Sequence, residues 1–311
     1  MRFNPKARLD TSRVRDRGRG SGGGRGSGGG GLPIPGGMLG GGGITGVIVV
    51  ILFLVLTQCL GNGGGGGLDT GSGSIDDSRM ANTDRYASCK TGEDANKSAD
   101  CARVAVENSL YDFWSHELGA KFRAEQEVDT FTGATSTGCG QASSDVGPFY
   151  CPVDETIYLD TTFFDDVLER RLGGPDGGFV EPYVLAHEYG HHIQNLLGTM
   201  GKVKTQQGPT SDSVRLELQA DCYAGMWTKA ATTTTDATGE ALFASLTDQD
   251  IQQSIEAATA VGDDRIQERS GERVNPEQWT HGSAQQRVDW FTTGYRQGDL
   301  RACDTFAAGA L

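Results

Sequence analysis

One segment of the 311-residue sequence has the residue types and the spacing of a metal site, His187-Glu188-Tyr189-Gly190-His191. Residues four apart lie on one face of a helix, so His187 and His191 can direct two imidazoles at one ion. Glu188 would point along the same groove, where it could take a proton from the attacking water and pass it to a leaving amine. The pattern predicts a catalytic zinc site. The alternative is a surface helix with polar His and Glu side chains.

A second segment can complete that site, because a catalytic zinc ion needs a third protein ligand and one open position for water. The helix predicted over residues 213–228 carries Glu217, with Asp221 one turn later on the same face. We predict that Glu217 is the third ligand. Asp221 would accept a hydrogen bond from a ligand histidine, with His187 favoured. An acidic pair of this kind alone is usually a solvated helix face. Because it follows the HExxH helix, it favours a complete metal site with one zinc ion per chain.

Around these residues the sequence resembles the bacterial family of putative neutral zinc metallopeptidases, which have a gluzincin-type HExxH…ExxxD arrangement. The similar stretches lie between residues 85 and 306 and include GCGQASSDVGPFYCPVDETIYLD, VLAHEYGHHIQ, ELQADCYAG, GDDRIQ, THGSAQQRVDWF and CDTF. The resemblance implies a compact zincin-like core. It also implies that His187, His191 and Glu217 are the zinc ligands and that Glu188 is the catalytic base.

Other candidates have weaker signals. His281, in Thr280-His281-Gly282, could stabilise the oxyanion of a tetrahedral intermediate, or it could be a histidine at a helix cap. Tyr189 and His192 lie on other faces of the metal helix, so we interpret them as structural. The strand-like residues 149–159 could align a substrate backbone by β-augmentation. Residues 263–265 could form a metal or substrate site, although an ion-paired helix junction is favoured.

The periodicity of apolar residues indicates the elements that must position these side chains. Helices are predicted over residues 99–118, 162–172, 181–197, 213–228, 249–260 and 283–295, with a strand-like hairpin over 149–159. Ser283 with Gln286 three residues later is a capping-box pattern at the start of the last helix. The predicted class is α+β, a mostly helical core with a small β-sheet.

Residues 44–60 are uncharged and mostly apolar, which predicts one transmembrane helix at the short end of what spans a bilayer. A cleaved signal peptide and a lipoprotein anchored through Cys59 are the alternatives. The basic residues precede this segment, and no Lys or Arg follows it until Arg79. The positive-inside rule therefore predicts a cytoplasmic N-terminus and an extracytoplasmic catalytic domain at the cell membrane.

The composition divides the rest of the chain. Residues 1–43 are predicted to be a disordered, Gly/Arg-rich cytoplasmic tail, residues 61–84 a flexible linker, and residues 85–311 the zinc metallopeptidase domain. An RNA-binding role for the tail is the less favoured alternative. The net charge of −14 falls mainly on the folded domain, which argues against nucleic-acid binding there.

Seven cysteines indicate the compartment. Cys59 lies in the apolar segment, and the other six form an even set without the CxxC-like spacing of a zinc cluster. Three disulfides therefore suit a domain outside the membrane. The hypothesis for their pairing is Cys89–Cys101, Cys139–Cys151 and Cys222–Cys303.

Together these features predict a membrane-anchored zinc endopeptidase that acts on peptide or protein substrates. The alternative is a catalytically silent binding protein of zincin fold, tethered to the membrane, in which zinc is only a structural element. The two differ in whether a zinc-loaded chain cleaves peptides.

Overall fold

Helices form most of the computed structural model, which describes residues 1–20, 83–143, 146–170, 172–175 and 178–311. Within these ranges there are seven α-helices: α1 Gly92–Ala95, α2 Ala99–Leu118, α3 Val180–Leu196, α4 Asp212–Ala230, α5 Asp248–Ala260, α6 Asp263–Arg269 and α7 Ala284–Gln297. The five longest lie within two residues of their predicted bounds. The helix predicted over 162–172 is only a wide helical turn, Phe164–Glu169.

The strands are short, and one small sheet holds four of them. The strands are β1 Arg2–Phe3, β2 Val14–Arg19, β3 Glu127–Thr132, β4 Ala134–Thr137, β5 Gly140–Ser143, β6 Phe149–Cys151, β7 Thr156–Asp160 and β8 Phe243–Ser245. In the four-stranded sheet the order is β2-β3-β7-β6, parallel except for the antiparallel β6–β7 hairpin. The α+β class and the hairpin at 149–159 are therefore confirmed.

The first twenty residues belong to the folded domain, so the prediction of a disordered tail is wrong for residues 1–20. β1 pairs with β8, and β2 pairs in parallel with β3 at the edge of the sheet. Phe3 and Val14 are buried in the main core. The prediction from composition was wrong because exposed and buried residues alternate at the start of β2, and because Arg13, Arg15 and Arg17 form ion pairs with acidic residues of the domain.

Three of those arginines form ion pairs with carboxylates elsewhere in the folded domain. Arg13 pairs with Glu107 on α2, while Arg15 and Arg17 pair with the β3 residues Glu127 and Asp129. The charges of these arginines therefore stabilise the fold, independently of any role in membrane topology. The remainder of the predicted tail, residues 21–43, lies outside the described residues.

In the described part of the chain, no helix combines the length and the apolar character needed to cross a bilayer. The predicted membrane segment at 44–60 lies outside the described residues, as does the linker at 61–84 except for its last two residues.

Three disulfides join the predicted cysteine pairs, Cys89–Cys101, Cys139–Cys151 and Cys222–Cys303. The first ties the chain before α1 to α2, and the second joins the β4–β5 hairpin to β6. Cys222–Cys303 ties α4 to the chain end. Because α4 carries Glu217 and Asp221, this bridge braces one of the two helices that build the candidate site.

Two helix contacts bring a glycine against the backbone of the neighbouring helix. In α3, a Cβ atom at Gly190 would lie 3.2 Å from the backbone of Ala220 in α4. Between α4 and α7, a Cβ at Gly294 would lie 1.9 Å from the carbonyl oxygen of Cys222. The backbones of these helices therefore touch, and α4 is held between the metal helix α3 and α7.

Candidate metal centre

Helix α3 brings the two predicted histidine ligands together. The rings of His187 and His191 are 4.8 Å apart between centroids and nearly perpendicular. Both side chains are buried, at 6% and 7% exposure, which is unusual for histidine unless its nitrogens are satisfied. One helical turn and a buried face thus produce the convergence that the sequence spacing predicts.

Helix α4 supplies the third predicted ligand from the opposite side. Glu217 Oε2 lies 3.1 Å from His187 Nε2, and Oε1 lies 3.4 Å from His191 Nε2. The ligand atoms of the three residues lie within 4.8 Å of one another, and all three side chains are buried. Among the described residues this is the one such group of histidine, cysteine and carboxylate side chains.

The orientation of each ring tests whether these residues fit a metal. His187 Nδ1 donates a hydrogen bond to Asp221 Oδ1 at 2.8 Å, and His191 Nδ1 donates to Gln194 Oε1 at 2.8 Å. With each Nδ1 hydrogen-bonded, Nε2 of both rings faces the Glu217 carboxylate, so either a ring proton or a metal cation must lie between these nitrogen and oxygen atoms. The two-histidine, one-glutamate donor set is that of catalytic zinc sites, so the residues fit a zinc ion.

Asp221 occupies the predicted position beside His187 and is fully buried. Besides His187, it accepts hydrogen bonds from the Tyr183 hydroxyl at 2.7 Å and from Arg287 Nε and Nη2 at 2.9 and 3.0 Å. Burial opposes protonation of His187, but the Asp221 carboxylate outweighs it and raises the pKa of His187 to about 10 in the metal-free protein. Metal binding must therefore displace a proton.

Glu188 lies on the cavity side of α3 but is not one of the converging ligands. The cavity, of about 150 Å³, is lined by Glu188 together with the two histidines, Glu217 and His281. Burial raises the pKa of Glu188, while the neighbouring histidines and the backbone N–H of Tyr150 partly offset that rise. A carboxylate with a raised pKa beside a metal site suits a group that takes up and releases protons.

His281 lines the same cavity from the loop before α7, and the structure removes the helix-cap alternative. The cap of α7 is Ser283, which forms the predicted capping box with Gln286. His281 Nδ1 forms a hydrogen bond with Thr280 Oγ1 at 2.8 Å and lies 3.3 Å from Asp263 Oδ1. Burial lowers the pKa of His281, but the Asp263 carboxylate more than compensates and raises it.

Asp263 holds the whole loop in place. Its Oδ2 accepts the backbone N–H groups of Thr280, His281 and Gly282 at 2.8, 2.7 and 3.0 Å. Asp264 accepts the N–H of Ala284 at 2.7 Å. Residues 263–265 thus form a helix junction, the interpretation favoured from sequence, and Asp263 also orients His281.

The two residues interpreted as structural are confirmed as such. Tyr189 and His192 are fully buried on faces of α3 away from the cavity. His192 Nε2 donates to the carbonyl of Arg123 at 2.8 Å, and its Nδ1 accepts from the Tyr150 hydroxyl at 3.1 Å. Tyr150 thereby ties β6 to the metal helix.

Sequence reasoning missed three supporting side chains. On α3, Gln194 follows His191 by three residues and Tyr183 precedes His187 by four. Helical spacing could therefore have predicted both. Arg287, buried with its guanidinium on Asp221, gave no such signal. It comes from α7, and only the packing of α4 against α7 brings it to the site.

Comparisons with known proteins agree with this geometry. The profile of a family described as "Putative neutral zinc metallopeptidase" matches residues 1–306, including the N-terminal strands. An uncharacterized protein of Mycobacterium tuberculosis, Rv2575, is 52% identical over 225 residues, 72% of this chain and 76% of its own length. The uncharacterized protein YpfJ of Escherichia coli K12 is 42% identical over 205 residues, 63% and 67% of the two chains. No solved structure matches.

Proposed function

Since the chain belongs to the putative neutral zinc metallopeptidase family, we propose that it is a zinc-dependent peptidase, with Glu188 as the general base. One observation carries the proposal: three buried ligand atoms converge on one point of a cavity that Glu188 and His281 also line. Three protein ligands leave a coordination position open for water, as a catalytic site requires. One zinc ion per chain is expected.

The chain's own residues would divide the reaction between them. A bound zinc ion would supply Lewis-acid polarisation and a more acidic water. Glu188 takes the proton of the attacking water and delivers it to the leaving amine. His281, fixed by Asp263, donates a hydrogen bond to the oxygen on which negative charge develops. Asp221 and Arg287 keep His187 in the tautomer whose Nε2 faces the metal.

The substrate would be a peptide or protein segment in extended conformation. Strand β6 lies at the edge of its sheet, with no further strand paired to it in the described ranges. Its residues Phe149 and Tyr150 line the cavity. A substrate strand added to this edge would run past Glu188 through main-chain hydrogen bonds.

The test replaces the proposed base and leaves the ligands in place. We expect the Glu188→Gln variant to bind zinc like the parent and to lose peptide hydrolysis by about 10²–10⁴-fold, because only the proton transfer is removed. Glu117→Gln, on the exposed surface of α2, is the matched control and should keep full activity. Zinc content and cleavage of a peptide library are measured for each variant.

Two results would contradict the proposal. Equal cleavage by the parent and Glu188→Gln would remove Glu188 from the mechanism. Bound zinc without any turnover in the parent would favour the silent, membrane-tethered binding protein.

We also propose that residues 44–60 attach the chain to a membrane, with the zinc domain in an oxidising, extracytoplasmic compartment. The support for attachment is the uncharged apolar sequence of this segment. The support for the compartment is the set of three disulfides. The pairing of β2 with β3 restricts the topology: a cytoplasmic N-terminus requires that β2 leave the sheet.

A further inference from the structure

Within the N-terminal segment, residues 1–20, Arg13 forms an ion pair with a fully buried carboxylate of the domain. The Arg13 side chain is 19% exposed, and its partner Glu107 is fully buried. Arg13 Nε donates to Glu107 Oε1 at 2.6 Å, Nη2 lies 3.4 Å from Oε2, and the guanidinium stacks 4.1 Å from the Tyr111 ring centroid. The Arg15–Glu127 pair on the same strand is far more exposed, at 43% and 20%.

Behind Glu107 lies a second buried carboxyl group, Glu125, at 3% exposure. Its carboxyl group lies beside the Tyr189 hydroxyl and the Glu107 carboxyl group. Burial and the Glu107 carboxylate raise the pKa of Glu125 to about 8. Two carboxyl groups thus share a buried space, and the Arg13 guanidinium is the cation whose charge acts on both.

Tyr189 connects this space to the metal helix. It lies between the ligands His187 and His191 in sequence, on the side of α3 that faces away from the cavity. Helix α2, which carries Glu107, packs against α3, and Arg103 of α2 forms an ion pair with Glu181 at the start of α3. The back of α3 therefore rests on a helix whose buried Glu107 takes its cation from the N-terminal segment.

We propose that Arg13 is a positioning residue for the metal centre, and that docking of residues 1–20 is required for the ligands on α3 to converge. The inference rests on the proposed function, since it concerns the same metal site. Without Arg13, the buried carboxyl groups lose their cation, and breaking such a pair destabilises the groups around it. Ligand geometry tolerates shifts of only about 0.5 Å, so a small movement of α3 weakens metal binding.

The proposal gives the N-terminal segment a regulatory use. A molecule whose β2 strand has left the sheet also lacks Arg13 behind α3, so its metal site is loosened. Any process that withdraws residues 1–20, such as their placement on the opposite side of a membrane from the domain, would switch the site off. Return of the strand would restore it.

The experiment compares two arginine variants in the full chain. Arg13→Gln removes the buried cation, and Arg15→Gln removes the exposed one from the same strand as a matched control. Zinc dissociation constants are measured by chelator competition, and hydrogen exchange of the α3 amides is measured in the metal-free protein. We expect zinc binding to weaken by about tenfold or more in Arg13→Gln, with faster α3 exchange, because loss of a supporting partner typically costs 10–100-fold in affinity. Arg15→Gln should stay within about twofold of the parent.

Equal zinc affinity and equal α3 exchange in the two variants would overturn the proposal. If Arg13→Gln does not fold, the Arg13→Lys variant is measured in its place, because lysine keeps the charge but cannot make the two-nitrogen contact with Glu107. We then expect Arg13→Lys to bind zinc more weakly than Arg15→Gln does, and equal binding by the two would overturn the inference. Neither readout uses peptide cleavage, so a parent that binds zinc without turnover would contradict the proposed function alone.

Discussion

His187 and His191 are each held through Nδ1, which leaves Nε2 of both rings for the metal. The spacing of the histidines and the one-turn separation of Glu217 and Asp221 could be predicted because both are properties of single helices. The partners of these groups could not all be predicted. Arg287 reaches Asp221 from another helix, so its role depends on how α4 and α7 cross.

At the residue scale, we predict that substitution of His281 lowers peptidase activity. Because Asp263 and Thr280 hold its Nδ1 and it lines the cavity, we expect its loss to remove a hydrogen bond made to the reacting oxygen. His281→Asn should lower kcat by about 10²–10³-fold with little change in zinc content. The measurement is steady-state peptide hydrolysis together with metal analysis.

The control for His281 is His116→Asn, since His116 is 77% exposed on α2. It should behave as the parent. A His281→Asn enzyme with unchanged kcat, or one that loses zinc in proportion to activity, would contradict a role in stabilising the oxyanion.

At the scale of elements, the site depends on α4 lying in backbone contact with both α3 and α7. Gly190 allows the first approach, and Gly225 with Gly294 allows the second. Through these contacts α3 supplies the histidines, α4 supplies the carboxylates and α7 supplies Arg287. The helices themselves were predicted from apolar periodicity, but their close crossing was not, because glycine in a helix has no periodic signature of its own.

Gly294→Ala tests this contact. A Cβ atom there would lie 1.9 Å from the carbonyl oxygen of Cys222, so α7 must move away from α4. We expect a loss of about 3 kcal/mol in the free energy of unfolding, typical of a severe overpacking substitution. For a domain of this size the Tm would fall by roughly 6–12 °C, measured by calorimetry.

Gly201→Ala is the control for that substitution, because a Cβ atom at Gly201 meets no other atom within 4 Å. Its Tm should match the parent's. A Gly294→Ala protein as stable as Gly201→Ala would show that the two helices do not need this approach.

At the scale of the whole molecule, the N-terminal segment and the zinc domain form one sheet. β2 lies beside β3, and three arginines of the segment neutralise carboxylates of the domain. The charge asymmetry that predicted a cytoplasmic N-terminus therefore has a second explanation. While β2 stays in the sheet, residues 1–20 and 83–311 must lie in the same compartment, whatever residues 44–60 do.

That shared compartment can be tested by thiol labelling in cells. Lys6 and Lys97 are exposed, one in each part of the chain, and each is replaced by cysteine in a chain carrying Cys59→Ser. We expect Lys6→Cys and Lys97→Cys to react alike with a membrane-impermeant maleimide, because strand pairing holds both parts on one side. Labelling after detergent solubilisation is the control for intrinsic reactivity. One site labelled in intact cells and the other protected would show that β2 leaves the sheet in the cell.

The sequence by itself determined which residues form the candidate metal site: His187, Glu188, His191, Glu217 and Asp221 are arranged by helical periodicity, which is local. It also indicated the disulfide pairs, because two pairs close short loops and the third ties the chain end to the helix of Glu217. Only the tertiary structure decided the places of residues 1–20 and of Arg287. Their partners lie far along the chain, and ion pairs and strand pairing between distant segments leave no periodic trace in sequence. Arg13, Arg15 and Arg17, which composition assigned to a disordered tail, form ion pairs because the fold brings acidic residues to meet them.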